Sequence, residues 1–262
     1  MNRPMLSIIT VCYQAREELR ATMENVLSQT WKDFEYVVID GASSDGTQKL
    51  LEQYESRFSK AGIPFLYSSE PDKGIYDAMN KGTRQACGEW LLFLNAGDLL
   101  AAPGVLQSIF EKPQDAQILY GDTLGIYQGS RKKYPALPLT HLTYEMAFCH
   151  QSALIRRELL KKHPYNITYR VCADHEFFLS MYLGGCTFSY CPLIISVYEI
   201  AGYSDKNKLL SHREKRRMQQ ELGIFRVTPG WLKREISFYA NYAVRRLLGQ
   251  RFINLVRKSR LH

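Results

Sequence analysis

EWLLFLNAGDLL, residues Glu89–Leu100, carries an apolar run from Trp90 to Leu94, then Asn95-Ala96-Gly97, then a carboxylate at Asp98 and two leucines. The apolar run reads as a strand and the Asn-Ala-Gly as the turn that ends it. A carboxylate at the tip of a buried strand costs several kcal/mol unless something positive compensates it. The chain therefore either simply turns at Asp98 or holds that acid for a cation.

Upstream, the same kind of segment recurs. MLSIITVCY (Met5–Tyr13) is β-branched and apolar, the pattern of a strand buried on both faces. AREELRATMENVLSQT follows it with a helical stripe of Leu19, Met23, Val26 and Leu27. FEYVVIDGASSDGT gives a second strand ending at Asp40, and GTQKLLEQYESRF a helix. PFLYSSEPDKG is a third strand that breaks at Pro71, and GIYDAMNKGTRQACG a helix that stops at Gly88. Strand and helix thus alternate four times by Asp98, which predicts an α/β fold with a parallel sheet and right-handed crossovers. Beyond it, AQILYGDTLGIY and SRKKYPAL read as a hairpin, THLTYEMAFCHQ as a loop and RRELLKKH as a helix. YRVCADHEFFLSMYLGG reads as a helix entered through Asp174, TFSYCPLIISVYE as a late strand, and the C-terminal tail as two helices.

Composition narrows the class. With 45% apolar and 23% charged residues the 262-residue chain is ordinarily globular. Its six cysteines form no CxxC pair, which weakens zinc-ribbon and redox-motif readings and fits a reducing cytosol. No signal peptide and no membrane-spanning run is visible, so a soluble or peripheral protein is expected. The net charge of +8 is uneven: residues 205–262 hold 15 Lys/Arg against 4 Asp/Glu, and residues 1–204 hold 19 against 22. In the tail, Leu232, Ile236, Tyr239, Ala243 and Leu247 share one helical face, with Arg234, Asn241 and Arg245 opposite. Such a helix either lies on an anionic membrane surface or packs on the domain with a solvated basic face. No nucleic-acid-binding motif accompanies the charge, so nucleic acid is not an expected partner.

In open parallel sheets, ligands bind beyond the carboxyl ends of the strands. Asp40, Asp72 and Asp98 end or follow three successive strands, each near a glycine. Acids and glycines are also ordinary turn formers, but three together favour a shared ligand. GxxxxGK[ST] is missing, as is GxGxxG after the first strand, which disfavours phosphate-loop and dinucleotide folds. The residues suit a diphosphate held through Mg²⁺ or Mn²⁺, with Asp98 as the protein's ligand to the metal.

SIITVCY, VVIDGASSDGT, SEPDKGIYDAMNKG and GEWLLFLNAGD, in this order and spacing, resemble the inverting family 2 glycosyltransferases of GT-A fold, most closely bacterial exopolysaccharide enzymes of the colanic-acid type. The resemblance covers residues 5–205. It implies a GT-A domain over 1–205 with a basic helical appendage over 206–262. By the same resemblance Thr10, Val11 and Tyr13 line the nucleotide pocket, Asp40 holds the base (commonly uracil), and Asp45 shapes the next turn unless it only caps a helix. Asp72, Lys73 and Asn80 are placed near ribose and phosphates, and Asn95 near sugar or ribose. The family's Asp-x-Asp metal motif is here Asn95-Ala96-Gly97-Asp98, which leaves Asp98 as the one carboxylate. The resemblance puts the catalytic base at Asp174, for which helix capping is a compatible role, with Glu176 as understudy. His150 and Gln151 fall on the acceptor side, and Tyr198 or Ser204 on the diphosphate side.

What this implies is transfer of a sugar from a nucleoside-diphosphate donor, UDP-linked by the Asp40 analogy, to a glycan or polyprenyl-linked acceptor. The place would be the cytoplasmic face of the membrane, in bacterial surface polysaccharide synthesis. The rival is a catalytically inactive GT-A domain acting as a binding or scaffold subunit. A nucleotidyltransferase would be expected to carry a Gly/Arg/Lys-rich loop after the first strand, which TVCYQAREE does not offer.

Overall fold

The computed structural model describes residues 3–112, 114–127, 129–199 and 207–259, with side chains as far as residue 244. The expected alternation is present: β1 (Leu6–Cys12), α1 (Arg16–Leu27), β2 (Phe34–Asp40), α2 (Thr47–Lys60), β3 (Phe65–Ser69), α3 (Ile75–Gln85) and β4 (Trp90–Phe93). All seven residues of β1 and of β2 are buried, as strands covered on both faces require. Side chains alternate between two cores. Ile9, Val37, Ile39, Leu91 and Phe93 pack into one layer, while Ile8, Tyr36, Val38, Trp90 and Leu92 pack into the other.

β1 pairs in parallel with β2, from Leu6 opposite Phe34 to Cys12 opposite Asp40, and on its other side with β4. With β3 at the edge the order is β3-β2-β1-β4, so the chain winds outward from β1 and then crosses to its far side. The direction of winding thus reverses between β1 and β4, the point of such a sheet at which a ligand crevice is expected. The opening segment straddles it. β4 stops at Phe93, and Leu99–Leu100 form a two-residue strand, β5, antiparallel to β9 (Phe188–Glu199) at the opposite edge.

The second half extends the sheet through α4 (Val105–Phe110), β6 (Ile118–Tyr127), β7 (Ser130–Tyr134), β8 (Ala153–Arg156), α5 (Arg157–Lys162), α6 (Ala173–Leu183) and β9 (Phe188–Glu199). The hairpin is β6–β7, and the late strand is β9, parallel to β6. Three elements were not foreseen: β5, α4 and β8. The last is antiparallel to both β4 and β6 and joins the two halves into one sheet. The entrance to α6 also differs. Cys172 is the cap residue, and Asp174 sits inside the first turn.

The tail forms α7 (Lys208–Glu221) and α8 (Pro229–Ser259). Packing does not divide at residue 205, because Met218 of α7 is fully buried in the core layer that holds Phe177 and Phe178. α8 lies against α7, with the Phe238 ring stacked on His212 at 3.8 Å and Arg216 over Trp231 at 5.4 Å. Leu232, Ile236, Tyr239 and Ala243 are exposed on α8, whereas the Leu247 and Arg245 side chains lie outside the described residues. Among the described residues no helix is long and apolar enough to cross a membrane.

Candidate active site

A cavity of about 650 Å³ lies at the carboxyl ends of β1 and β3, lined by Val11, Cys12 and Tyr13, by residues 72–78, and by Ile167, Tyr169 and Arg170. Three consecutive residues at the β1 end reach it, so strand alternation alone does not select them. Val11 and Tyr13 line the cavity, whereas the expected Thr10 turns inward, donating to Leu94 O at 2.6 Å and accepting from the Tyr36 hydroxyl at 2.8 Å. Asp72 and Lys73 sit on the wall; Asp72 Oδ1 accepts the Gly74 N–H at 2.7 Å and shapes the turn into α3.

Asp40 is fully buried under this wall. Its Oδ1 accepts from the Ser43 hydroxyl at 2.5 Å, and its Oδ2 from the Ser43 N–H at 3.0 Å and the Ser69 hydroxyl at 2.6 Å. In this arrangement the carboxylate knits the 41–45 turn to β3, with both of its oxygens spent on protein donors. Asp45 does what a helix-start acid does. Oδ1 accepts from the Thr47 N–H and hydroxyl and Oδ2 from the Arg16 N–H, so one carboxylate holds the starts of both α1 and α2. These bonds, the Thr47 hydroxyl foremost, hold its carboxyl below the usual range.

The Asn95–Asp98 turn adjoins the cavity through the Ala96 N–H, which donates to Val11 O at 3.3 Å. Gly97 takes φ +94°, a left-handed conformation that glycine adopts without strain, and its N–H is held by Thr22 Oγ1 at 2.9 Å. This bend turns Asp98 inward. Asp98 is 8% exposed, and Gln151 Nε2 donates to its Oδ2 at 2.9 Å. Burial pushes the carboxyl up to about 7, because an uncharged amide offsets only part of the desolvation. Nothing cationic touches it among the described residues. The nearby Asn95 Oδ1 is also buried and has no hydrogen-bond partner.

Asp174 approaches from α6. Its Oδ1 accepts from the Tyr76 hydroxyl at 2.8 Å and from the His175 N–H at 2.8 Å, and Tyr76 lines the cavity. Asp98 is bonded to Gln151, and the charges of both Asp98 and Asp174 are felt at Cys149. The Cys149 thiol, which donates to Gln151 Oε1, is pushed up to about 12 mainly by burial, with the negative charges of Asp98 and, more weakly, Asp174 adding to it. The two acids therefore share one neighbourhood at the edge of the cavity.

Other expected residues lie elsewhere. Asn80, expected near ribose and phosphate, spends both ends of its amide on the Tyr165 backbone at 2.8 and 2.9 Å and so anchors the loop before α6. His150, expected on the acceptor side, is a core residue. It is bonded to the Tyr165 hydroxyl at 2.8 Å, packed against Phe93 and kept neutral by burial. Glu176 lies two residues past Asp174, hence on another helix face. It accepts from Ser180, and burial raises its carboxyl. Tyr198 is half-buried on β9 opposite Gly125, and Ser204 lies outside the described residues.

Tyr76, Tyr169 and Arg170 are among the cavity-lining side chains that went unforeseen. Tyr76 had a legible signal, since it precedes Asn80 by four residues and shares its helix face. Arg170 had none beyond its charge.

Among the described residues no group of three or more His, Cys, Asp or Glu is placed to hold a metal ion. The groups present nevertheless fit Mg²⁺ or Mn²⁺ of the kind that takes one carboxylate and completes its shell with phosphate oxygens and water. The buried, uncompensated Asp98 and the orphaned Asn95 oxygen are the donors available for it.

Comparison with known proteins gives this geometry a context. The PGL/p-HBAD biosynthesis glycosyltransferase of Mycobacterium bovis is 31% identical over 212 residues, 78% of this chain and 81% of that protein. Among solved structures, the mannosyltransferase PcManGT of Pyrobaculum calidifontis, in complex with GDP-Man and Mn²⁺, superposes with a TM-score of 0.65 at 17% identity, covering 91% of this chain and 70% of that one. TarS of S. aureus in complex with UDP-GlcNAc gives 0.62 at 17% identity, covering 82% and 70%. These two likenesses show the fold, a GT-A-like α/β sheet with flanking helices. Residues 7–178 match the sequence profile of the family described as glycosyl transferase family 2, and the chain belongs to that family of glycosyltransferases.

Proposed function

We propose that this protein is an inverting transferase that moves a sugar from a nucleoside diphosphate, UDP by preference, to a hydroxyl of a glycan or polyprenyl-linked acceptor. The setting is bacterial surface polysaccharide synthesis at the cytoplasmic face of the membrane, in the manner of colanic-acid-type enzymes. One observation carries the reading: a buried carboxylate without a cationic partner, Asp98, shares the surroundings of Cys149 with a second acid, Asp174, beside a cavity at the strand ends. The donors named for the solved relatives, UDP-GlcNAc and GDP-Man, support a nucleoside-diphosphate sugar.

Asp174 is the base. Both of its described hydrogen bonds fall on Oδ1, which fixes the carboxylate and leaves Oδ2 to accept the proton of the attacking hydroxyl. Attack from that side displaces the diphosphate from the opposite face and inverts the anomeric centre, with no covalent enzyme intermediate. Lys73 and Arg170, both exposed on the cavity wall, bring positive charge to the departing diphosphate. A divalent ion held by Asp98 and the Asn95 oxygen would add Lewis-acid stabilisation of the same leaving group. Tyr13, two-thirds exposed at the rim, offers its ring to the base.

Apolar side chains exposed on α8, with a basic opposite face, suit docking to anionic lipid, where a polyprenyl-linked acceptor resides. The test of the catalytic reading is Asp174→Asn, assayed by release of nucleoside diphosphate from UDP-GlcNAc and GDP-mannose with Mn²⁺. Turnover is expected to fall by about 10²-fold or more while the thermal shift given by UDP and Mn²⁺ persists. Turnover near the wild-type rate would remove Asp174 from the base position.

A further inference from the structure

We propose that Glu214 of α7 is a positioning residue for Asp174, so that the basic tail supplies part of the catalytic apparatus. The inference rests on Asp174 being the base. Glu214 is 6% exposed, and its carboxylate accepts three consecutive backbone N–H groups: Arg170 at 2.7 Å, Val171 at 2.9 Å and Cys172 at 2.9 Å. These are the last three residues before α6 begins at Ala173. Successive amides converging on one point form an anion-binding concavity, and here the anion comes from the chain itself, 42–44 residues away. Bonds to an ionised acceptor are stronger than neutral ones, and these three fix the path of the backbone into the helix.

The clasp connects to the base in two steps. Val171 donates its N–H to Glu214, and its carbonyl lies 2.8 Å from the Tyr76 hydroxyl, whose one proton it shares with Asp174 Oδ1. The same hydroxyl lies 2.8 Å from Asp174 Oδ1. Glu214, Val171, Tyr76 and Asp174 thus form one chain of polar contacts. Loss of its first member frees a loop whose other side carries Tyr169 and Arg170 into the cavity. The surroundings hold α7 in register for this contact. The Tyr169 hydroxyl donates to Glu221 at 2.5 Å, Arg217 Nη2 to Thr168 Oγ1 at 2.9 Å, and Met218 is fully buried.

Glu214→Gln keeps the size of the side chain but sets an NH₂ group against backbone donors. The expected result is a kcat for nucleoside-diphosphate release from UDP-GlcNAc or GDP-mannose lowered roughly 10- to 100-fold, the scale of a misplacement of about 1 Å. KM for the donor should rise less than kcat falls, because Val11, Tyr13, Asp72 and Lys73 keep their places on the cavity wall and only Tyr169 and Arg170 move with the loop. Hydrogen exchange provides a second reading that needs neither a substrate nor a variant. In the wild-type protein the amides of residues 170–172 should exchange far more slowly than those of the exposed 166–168 segment, and Glu214→Gln should accelerate them. An unchanged kcat in a folded Glu214→Gln protein overturns the proposal, as does fast exchange of these amides in the wild type. Asp174→Asn, run in parallel, separates the two claims. If it retains turnover, the base assignment fails; if it is inactive and Glu214→Gln is fully active, only the positioning role fails.

Discussion

Asp98→Asn changes one atom and removes a charge, and its consequences follow from where the carboxylate sits. Burial holds the Asp98 carboxyl at about 7 in the folded chain, against an ordinary value of 3.8. Between these two values the folded protein keeps a proton that the unfolded chain has lost. Stability must therefore fall as pH rises, by about 1.4 kcal/mol per pH unit for this group. Over the window from about pH 4 to about pH 7 the loss reaches ~4 kcal/mol, and above pH 7 it stays constant. An Asn at 98 retains the oxygen that accepts from Gln151 Nε2 and has no charge to desolvate. The Asp98→Asn protein without metal should therefore be more stable than wild type at alkaline pH, by on the order of 10 °C in Tm for a chain of this size. The two should converge near pH 4. The assay is paired thermal unfolding in EDTA from about pH 4.5 to about pH 8.5, repeated with Mn²⁺ and UDP. With Mn²⁺ and UDP the order should narrow or invert, because a cation offsets the buried charge only where there is one. Parallel Tm–pH curves would refute the burial reasoning, and equal stabilisation of both proteins by Mn²⁺ and UDP would refute the cation site.

Two further outcomes check the scaffold and the tail. Gly82→Ala would set a methyl group 2.5 Å from Ile9 Cγ2, where α3 rests on β1. Overpacking of about 1–3 kcal/mol should exceed the gain of about 1 kcal/mol in helix propensity, giving a lower urea midpoint at unchanged m-value. A raised midpoint would mean that α3 does not pack on β1 as described. Replacing Leu232 and Ile236 together with Asp should abolish salt-sensitive binding to phosphatidylglycerol vesicles and leave the thermal midpoint in place, since both side chains are exposed. Undiminished binding would exclude this face of α8 as the lipid contact.

The first hundred residues were legible because their physics is local. A strand buried on both faces is a short apolar run and an amphipathic helix a stripe, and Met5–Asp98 alternates the two without ambiguity. β8 escaped because Ala153–Arg156 is four residues long and follows a 3₁₀ turn, so no period has room to show. The site was legible in its acids and less so in its amides and imidazoles. Asn80 and His150 have the chemistry of ligand contacts, and the fold spends both on Tyr165. Thr10 shows that the end of a strand is too coarse a description, since neighbouring residues face opposite sides of the sheet. Glu214 was beyond reach altogether, because its partners are backbone amides, which have no signature in the sequence.

The departure from Asp-x-Asp bears on whether this is an active transferase or a scaffold of the same fold. Gly97 sits where the family's usual carboxylate would be, and its backbone bends left-handed between Thr22 and Glu18. That bend carries the next residue inward, so the acid is displaced by one position and remains at the turn. A protein that only bound a partner would have no use for a carboxylate there, where ionisation costs ~4 kcal/mol and an Asn would satisfy Gln151 equally well. Buried acids kept near neutrality in this way cluster at functional sites. The inactive reading also leaves unexplained why a second acid is oriented through one oxygen, with the other left open, beside the Tyr76 that lines the cavity. On the proposed reading, positive charge arriving at Asp98 with the donor would account for both features. It would relieve the burial cost only when substrate is present, directing binding free energy toward the departing diphosphate.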